Sequence, residues 1–336
     1  MNRSPDPSLR RRMALTLLAL AALTLAFGAA IALLLAWGLA WLTGAVGLAV
    51  PTPALVAVGA VATLVSGGVL LRRALRQDAA KTFDAERVGP GEFPALHATV
   101  TRLAQAADLP VPAVYVADRE TPLAMTTGLS TDDAELVVST GLLNALDDRE
   151  LEAVVAHELA HVKNRDAAVM TLVELPLASA RKLAHVLQST AGVHFALVGV
   201  AIGSFLFWAG GRTLVASLSR SRELAADRGA TALLGDPAPL ASALETLAHD
   251  ATTAPKLDAR EEGLAALSVV PAPEDDPGPK LTWEKRRPIA WSIRHPVRRL
   301  RRYVTVNYLR PLRATHPPTD ERIARLRRLS NDAAGP

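Results

Sequence analysis

Residues 154–166 read Val154-Val155-Ala156-His157-Glu158-Leu159-Ala160-His161-Val162-Lys163-Asn164-Arg165-Asp166. On a helix, residues i and i+4 project from one face a turn apart, so His157 and His161 can aim both imidazoles at a single point. Two neutral imidazoles at that spacing suit a Zn²⁺ ion, whose bonds to nitrogen are about 2.0–2.1 Å long. Glu158 stands about 100° round the helix from His157. From there it can reach a water at the fourth metal position without ligating the metal, which is the place of a general base. Chance alone gives this five-residue pattern in roughly one chain in a hundred of this composition. The neighbours Val154, Val155, Ala156, Leu159 and Ala160 carry no charge, as a helix buried in a catalytic core requires.

A catalytic zinc of this kind takes a third protein ligand. One extended pattern supplies it through a Gly and then a His at fixed positions, which here hold Asn164 and Ala167, so that class is excluded. The ligand must lie further on, and Glu is the usual type. Glu223, in Ser219-Arg220-Ser221-Arg222-Glu223-Leu224-Ala225-Ala226-Asp227, is the candidate. Asp227 follows one turn later on the same face, where it can accept the free N–H of a ligating histidine and fix its tautomer. Spacing alone leaves this reading level with a helix-surface array of ion pairs to the nearby arginines. Glu174 competes as a ligand, although it sits in an apolar stretch. The chain has no cysteine, so any metal is held by His, Asp or Glu.

Towards the N-terminus, Met13 to Trp41 is 29 residues without a charge, against about 20 for a membrane-spanning helix. A second apolar stretch, Pro53 to Leu71, follows across the short uncharged link Thr43–Thr52. A signal peptide has a shorter apolar core and a cleavage site in place of a second stretch. Residues 1–76 therefore read as a membrane hairpin of two transmembrane helices, about 13–41 and 53–71. Arg10, Arg11 and Arg12 precede it and Arg72, Arg73 and Arg76 follow it, which places both ends in the cytoplasm. Trp37 and Trp41 fit an interfacial belt.

Residues 77–336 are expected to form a cytoplasmic domain. Leu96–Ala107 has helical periodicity, Ala113–Ala117 and Glu135–Thr140 read as strands, and Asp147 and Asp148 precede a helix from about Arg149 that carries the histidines. A further hydrophobic helical pair covers about 167–211, and another helix runs from about Leu214 to Leu234. His161 and Glu223 can meet only on one side of a membrane, so the crossings between them must be even in number. Either both members of the pair cross, or the pair packs in the protein or lies at the interface. Residues 250–280 read as a loop rich in Pro, Asp and Glu, and Asp320–Leu329 as a helix. The fold class is mainly α with a small β-sheet, with multi-span helical membrane segments.

The net charge of +4 comes from basic flanks around an acidic centre. The basic C-terminal section, 280–329, carries Arg286, Arg287, Arg294, Arg298, Arg299, Arg301 and Arg302 with Trp283 and Trp291. Beside a bilayer its partner is expected to be anionic lipid headgroups, with a plain solvated charged face as the alternative, and no recognition motif supports nucleic acid.

With these residues assembled, the chain resembles the HtpX-like membrane zinc metallopeptidase family, related to the CAAX prenyl endopeptidase. The resemblance covers most of 1–235 and 315–329. It rests on the paired N-terminal spans, Ser139-Thr140-Gly141-Leu142-Leu143, the run Ala156–Asp166, Glu223-Leu224-Ala225-Ala226-Asp227 and Thr315-His316-Pro317-Pro318. It implies a gluzincin-like α+β peptidase domain in which His157, His161 and Glu223 bind one Zn²⁺ per chain and Glu158 is the base. It also implies that His316 stabilises the oxyanion of the tetrahedral intermediate. The expected function is a multi-pass cell-membrane metalloendopeptidase, hydrolysing misfolded or damaged membrane proteins on the cytoplasmic side. The resemblance further implies that substrate adds as a strand at a sheet edge near Pro122–Gly128. Leu123 stands where the family usually has Asn, and the insertion around 250–310 exceeds that of shorter members. The alternatives are a catalytically silent membrane adaptor or assembly factor with the same fold, and a processing protease for a narrow substrate.

Overall fold

Apolar composition fixes the first two elements. A chain that meets no water must satisfy its backbone internally, and the uncharged stretches become helices α1 (Pro7–Ala45) and α2 (Thr52–Ala74). The two cross at Gly59, where a Cβ would overlap the Ala32 carbonyl oxygen, so glycine alone permits the approach. Leu18, Leu25, Trp37, Trp41 and Leu64 point outward and are exposed. The structure, a computed structural model, describes residues 7–74, 81, 83–189, 195–250 and 317–334. The expected 250–280 loop, most of the basic section and His316 lie outside the described residues.

The remaining elements in chain order are β1 (Ala85–Arg87), α3 (Pro94–Ala106), β2 (Ala113–Ala117), β3 (Ala124–Thr127), β4 (Glu135–Ser139), α4 (Thr140–Ala145), α5 (Asp148–Lys163), α6 (Asp166–Ser189), α7 (Phe195–Leu234), α8 (Ala238–Asp250) and α9 (Thr319–Ala334). The hydrophobic helical pair expected over 167–211 corresponds to α6 and the first half of α7. Pro176 lies within α6 without ending it. The separate helix expected from about Leu214 is instead continuous with the apolar segment before it, 40 residues in all. Gly210 and Gly211 do not stop it, because glycine weakens a helix without ending it and no proline follows closely.

Three of these helices are long and apolar enough to cross a membrane: Pro7–Ala45, Thr52–Arg72 and Val200–Leu234. By its contacts the chain divides into two compact units. One joins Arg10–Gln77 with Val169–Val215; the other joins Met1–Leu9, Asp78–Ala168 and Ala216–Pro336. The stretch after residue 77 is therefore not one uninterrupted body. Within the first unit, Phe27 stacks on Phe207 with ring centroids 4.1 Å apart, and the Arg181 guanidinium lies 5.6 Å from the Trp208 ring. Glu174 pairs with Arg212 in the same unit.

In the second unit, a four-stranded sheet runs in the order β1-β2-β4-β3. β2 and β4 are parallel, while the outer strands pair antiparallel with them, so β3 is left at an edge. The Ser139-Thr140-Gly141 run locks the segment leading into β3. Ser139 Oγ accepts from Leu123 N (2.8 Å) and Leu142 N (3.1 Å), capping α4, and donates to the Thr121 carbonyl (2.9 Å). Thr140 Oγ1 accepts from Arg119 N at 3.1 Å, and Gly141 N donates to the Arg119 carbonyl at 2.9 Å.

Helix α5 starts with a full capping box. Asp147 Oδ1 accepts from Glu150 N at 2.8 Å, and Glu150 Oε2 accepts from Asp147 N at 3.1 Å. Glu150 Oε1 also accepts from Ser242 Oγ (2.6 Å) and Thr246 Oγ1 (3.1 Å), which ties the start of α5 to α8. From Ala153 to Val162 every residue of α5 is buried, with Val154, Val155, Leu159, Leu240, Leu244 and Leu326 among its core companions. The helix with the two histidines is thus the centre of the unit.

A Cβ at position 141 would collide with the Glu120 carbonyl, a backbone group that cannot swing aside. Gly141→Ala is expected to destabilise this unit by about 1–3 kcal/mol, read as a lowered midpoint in thermal unfolding of the detergent-solubilised chain.

Candidate active site

Burial of α5 carries two imidazoles and a carboxylate into the interior: His157 and Glu158 have no exposed surface, and His161 is 5% exposed. The i, i+4 spacing brings their rings together, with His157 Nε2 3.1 Å from His161 Nε2. Helix α7 delivers Glu223, 1% exposed, so that its two carboxylate oxygens lie 3.6 Å from His157 Nε2 and 3.6 Å from His161 Nε2. One ligand atom from each of the three residues lies within 4.8 Å of the others. Tetrahedral bonds of about 2.0–2.1 Å place ligand atoms about 3.3 Å apart; the 3.1 Å between the imidazoles and the 3.6 Å approach of a different Glu223 oxygen to each are of that order.

The far side of each ring is held by a carboxylate. His157 Nδ1 is 3.1 Å from Asp227 Oδ1, and His161 Nδ1 is 2.6 Å from Asp166 Oδ2. An ionised carboxylate only accepts, so the Nδ1 atoms carry the hydrogens and both Nε2 lone pairs face the common point. Two Nε2 atoms 3.1 Å apart call for a shared cation between them, either a proton carried by His157 or a metal. The donor set fits a divalent metal. Asp166 reaches His161 because Asn164 closes α5 and Arg165 turns the chain with a left-handed φ of 54°, so that Asp166 opens α6 directly beneath the ring.

These carboxylates are themselves anchored. Arg222, next to Glu223 on α7, places Nε 3.0 Å from Asp166 Oδ1. Arg322 enters from α9, fully enclosed at 1% exposure. Its Nε and Nη2 grip Asp227 at 3.0 and 2.6 Å, and its Nη1 lies 3.3 Å from Glu223 Oε2. On β3, Thr126 Oγ1 lies 3.1 Å from Glu158 Oε2 and 3.3 Å from the Glu158 carbonyl oxygen. Glu158 Oε1 makes no hydrogen bond among the described residues.

The charges respond accordingly. Burial alone would lower the His157 pKa, but Asp227 and Glu223 outweigh it and hold the imidazole up to about 9. A metal here competes with that proton. Burial raises the Glu158 pKa, against the pull of the two histidines. Burial would also raise Asp166, yet the hydrogen bond to His161 and the charge of Arg222 bring it below the usual carboxylate range. Arg322 stays charged despite enclosure, because Asp227 and Glu223 face it.

The structure therefore brings His157, Glu158, His161, Glu223 and Asp227 together, and His316 lies outside the described residues. Glu174, the rival candidate, is occupied with Arg212. Sequence reading gave no role to Asp166 or Arg322, took Arg222 only as an arginine of the ion-pair alternative, and took Thr126 only as part of the Pro122–Gly128 edge. Asp166 closes the quoted run Ala156–Asp166, so its position five residues after His161 was a usable signal. Arg322 is 95 residues from Asp227 and carried none.

A buried His–Glu–His helix with a distant Glu, in a chain bearing membrane-length helices, is the make-up of a membrane metallopeptidase. The comparisons agree: residues 90–330 match the model of peptidase family M48. A protease HtpX homolog of Moorella thermoacetica is 34% identical over 258 residues, covering 74% of this chain and 76% of the relative. Protease HtpX homolog 2 of Methanosarcina mazei is 38% identical over 204 residues, covering 57% and 68%. Protease HtpX homolog 1 of Streptomyces coelicolor is 39% identical over 199 residues, covering 56% and 64%. Among solved structures, S. mikatae Ste24p aligns with a TM-score of 0.44 at 17% identity, over 79% of this chain and 57% of that one. The chain belongs to peptidase family M48. It is a metalloprotease of the membrane, acting on protein.

Removing the buried guanidinium leaves Asp227 and Glu223 without their counter-charge. Arg322→Met is expected to cost about 3–5 kcal/mol, seen as a large fall in the melting temperature of the purified chain. Arg327→Met on the same helix, whose ion pair to Glu245 is exposed, is expected to cost under about 1 kcal/mol.

Proposed function

We propose that the chain is a zinc-dependent endopeptidase in which His157, His161 and Glu223 hold one Zn²⁺ per chain and Glu158 is the general base. The observation that carries this reading is the triangle of three buried donor atoms with Glu158 beside it. Zinc, when bound there, polarises the scissile carbonyl and makes a water acidic near neutral pH. Glu158 accepts the proton of the attacking water at Oε1, the oxygen left without a hydrogen bond, and passes it to the leaving amine. Asp227 and Asp166 hold the two imidazoles in the tautomer that leaves Nε2 free. His316 donates to the oxyanion, as the resemblance implies. Substrate lies along β3 as an added strand, since that edge is unpaired within the sheet and main-chain pairing accepts many sequences.

Residues 1–76 form the membrane hairpin, and 77–336 supply the peptidase domain together with the further hydrophobic helical pair of about 167–211. The arginines at 10–12 and 72–76 support a cytoplasmic catalytic side in a multi-pass cell-membrane protein. The arginines of 280–302 engage anionic headgroups. Misfolded or damaged membrane proteins are the substrates.

The test is cleavage of an unfolded model protein by the detergent-purified chain and by Glu158→Gln, with zinc measured in both. The expected result is about one zinc per chain in each, cutting by the wild type alone, and loss of cutting with a chelator. Bound zinc with no cutting, of itself or of any added protein, would shift the reading to a silent adaptor or a narrow-substrate enzyme. Absence of zinc from both would remove the central claim. Asp227→Asn is expected to weaken zinc binding about 10–100-fold, measured by competition with a fluorescent chelator.

A further inference from the structure

We infer that Thr126 is a positioning residue for the base: its hydroxyl sets which oxygen of Glu158 faces the reacting water. This rests on the reading of Glu158 as general base.

Thr126 lies on the edge strand β3 and is 5% exposed. Strand alternation turns Met125 and Thr127 to one face of the sheet. Met125 joins the small core with Phe83 and Val137, and Thr127 Oγ1 lies 3.3 Å from Glu135 Oε2. Thr126 is left facing α5, where its Oγ1 stands 3.1 Å from Glu158 Oε2. This is the one hydrogen bond the Glu158 carboxylate receives among the described residues. The terminal torsion of a glutamate is broad and nearly two-fold, so a carboxylate with no partner would present either oxygen in a range of planes. Donation from Thr126 to Oε2 removes that freedom and leaves Oε1 as the acceptor.

The hydroxyl has a second contact, 3.3 Å to the Glu158 carbonyl oxygen, and one hydrogen cannot serve both fully. Its closeness to the main chain of α5 fixes the oxygen's place even when the hydrogen turns. The strand that offers its backbone edge to substrate therefore also steers the proton acceptor. Two parts of the reaction are aligned by one short element.

Valine has the shape of threonine without the donor, and serine keeps the donor without the methyl. Thr126→Val is expected to lower kcat about tenfold or more, with KM within about twofold, zinc content at the wild-type level and an unchanged melting temperature. Thr126→Ser is expected to restore most of kcat. A wild-type kcat in Thr126→Val, beside an inactive Glu158→Gln, overturns the inference while sparing the base. Equal losses in the Val and Ser variants, with lowered zinc or a lowered melting temperature, overturn it in favour of a packing role. Full activity in Glu158→Gln removes the base reading, and the role of Thr126 with it.

Discussion

Besides Glu150 in the cap of α5, four carboxylates, those of Glu158, Asp166, Glu223 and Asp227, are buried among the described residues of the catalytic unit. An unpaired ionised carboxylate in a protein interior costs several kcal/mol or more. The unit folds because each of the four faces a cationic or hydrogen-bonding partner. Asp227 takes both prongs of Arg322, and Asp166 takes Arg222. Glu223 faces Arg322 and the two imidazoles, and Glu158 faces Thr126. Such a network is expensive to assemble and still more expensive to break at one partner. It explains why elements far apart in sequence close on the same point.

The proposed metal chemistry inherits its order from that network. A histidine on a helix could rotate or take either tautomer, and a glutamate could present either oxygen. Asp227 and Asp166 settle the first freedom, and Arg322 with Thr126 constrains the second. The proposed ligand and base positions are therefore preorganised by groups outside the ligand set itself. A further consequence concerns α9. Helix α9 supplies the arginine that balances two of the acids, and its Arg322 and Leu326 are part of the interior.

The continuity of α7 adds a mechanical feature. One uninterrupted helix includes a membrane-length apolar segment and the residues Glu223 and Asp227. The proposed ligand Glu223 thus lies on the helix that includes a membrane-length segment. The sequence suggested a boundary near Leu214 because polarity changes there. The backbone ignores that change, since polarity alone does not break a helix and the glycines at 210 and 211 lack a following proline.

What the sequence by itself determined is whatever depends on regular local periodicity. The i, i+4 spacing put His157 and His161 on one face, the uncharged runs announced the membrane helices, and short runs rich in valine marked β2 and β4. The Glu223 and Asp227 pair was visible as a helical face but could not be told from a surface ion-pair array by spacing. Tertiary structure decided that question by burying both residues against the histidines, while Glu174 went to Arg212. It alone decided the parts played by Arg322 and Thr126, because a lone arginine or threonine has no periodic signature and gains meaning only from the group packed against it. Periodicity is a property of one element at a time. A balanced cluster of buried charge is a property of several, brought together from more than 150 residues of chain, Asp166 to Arg322.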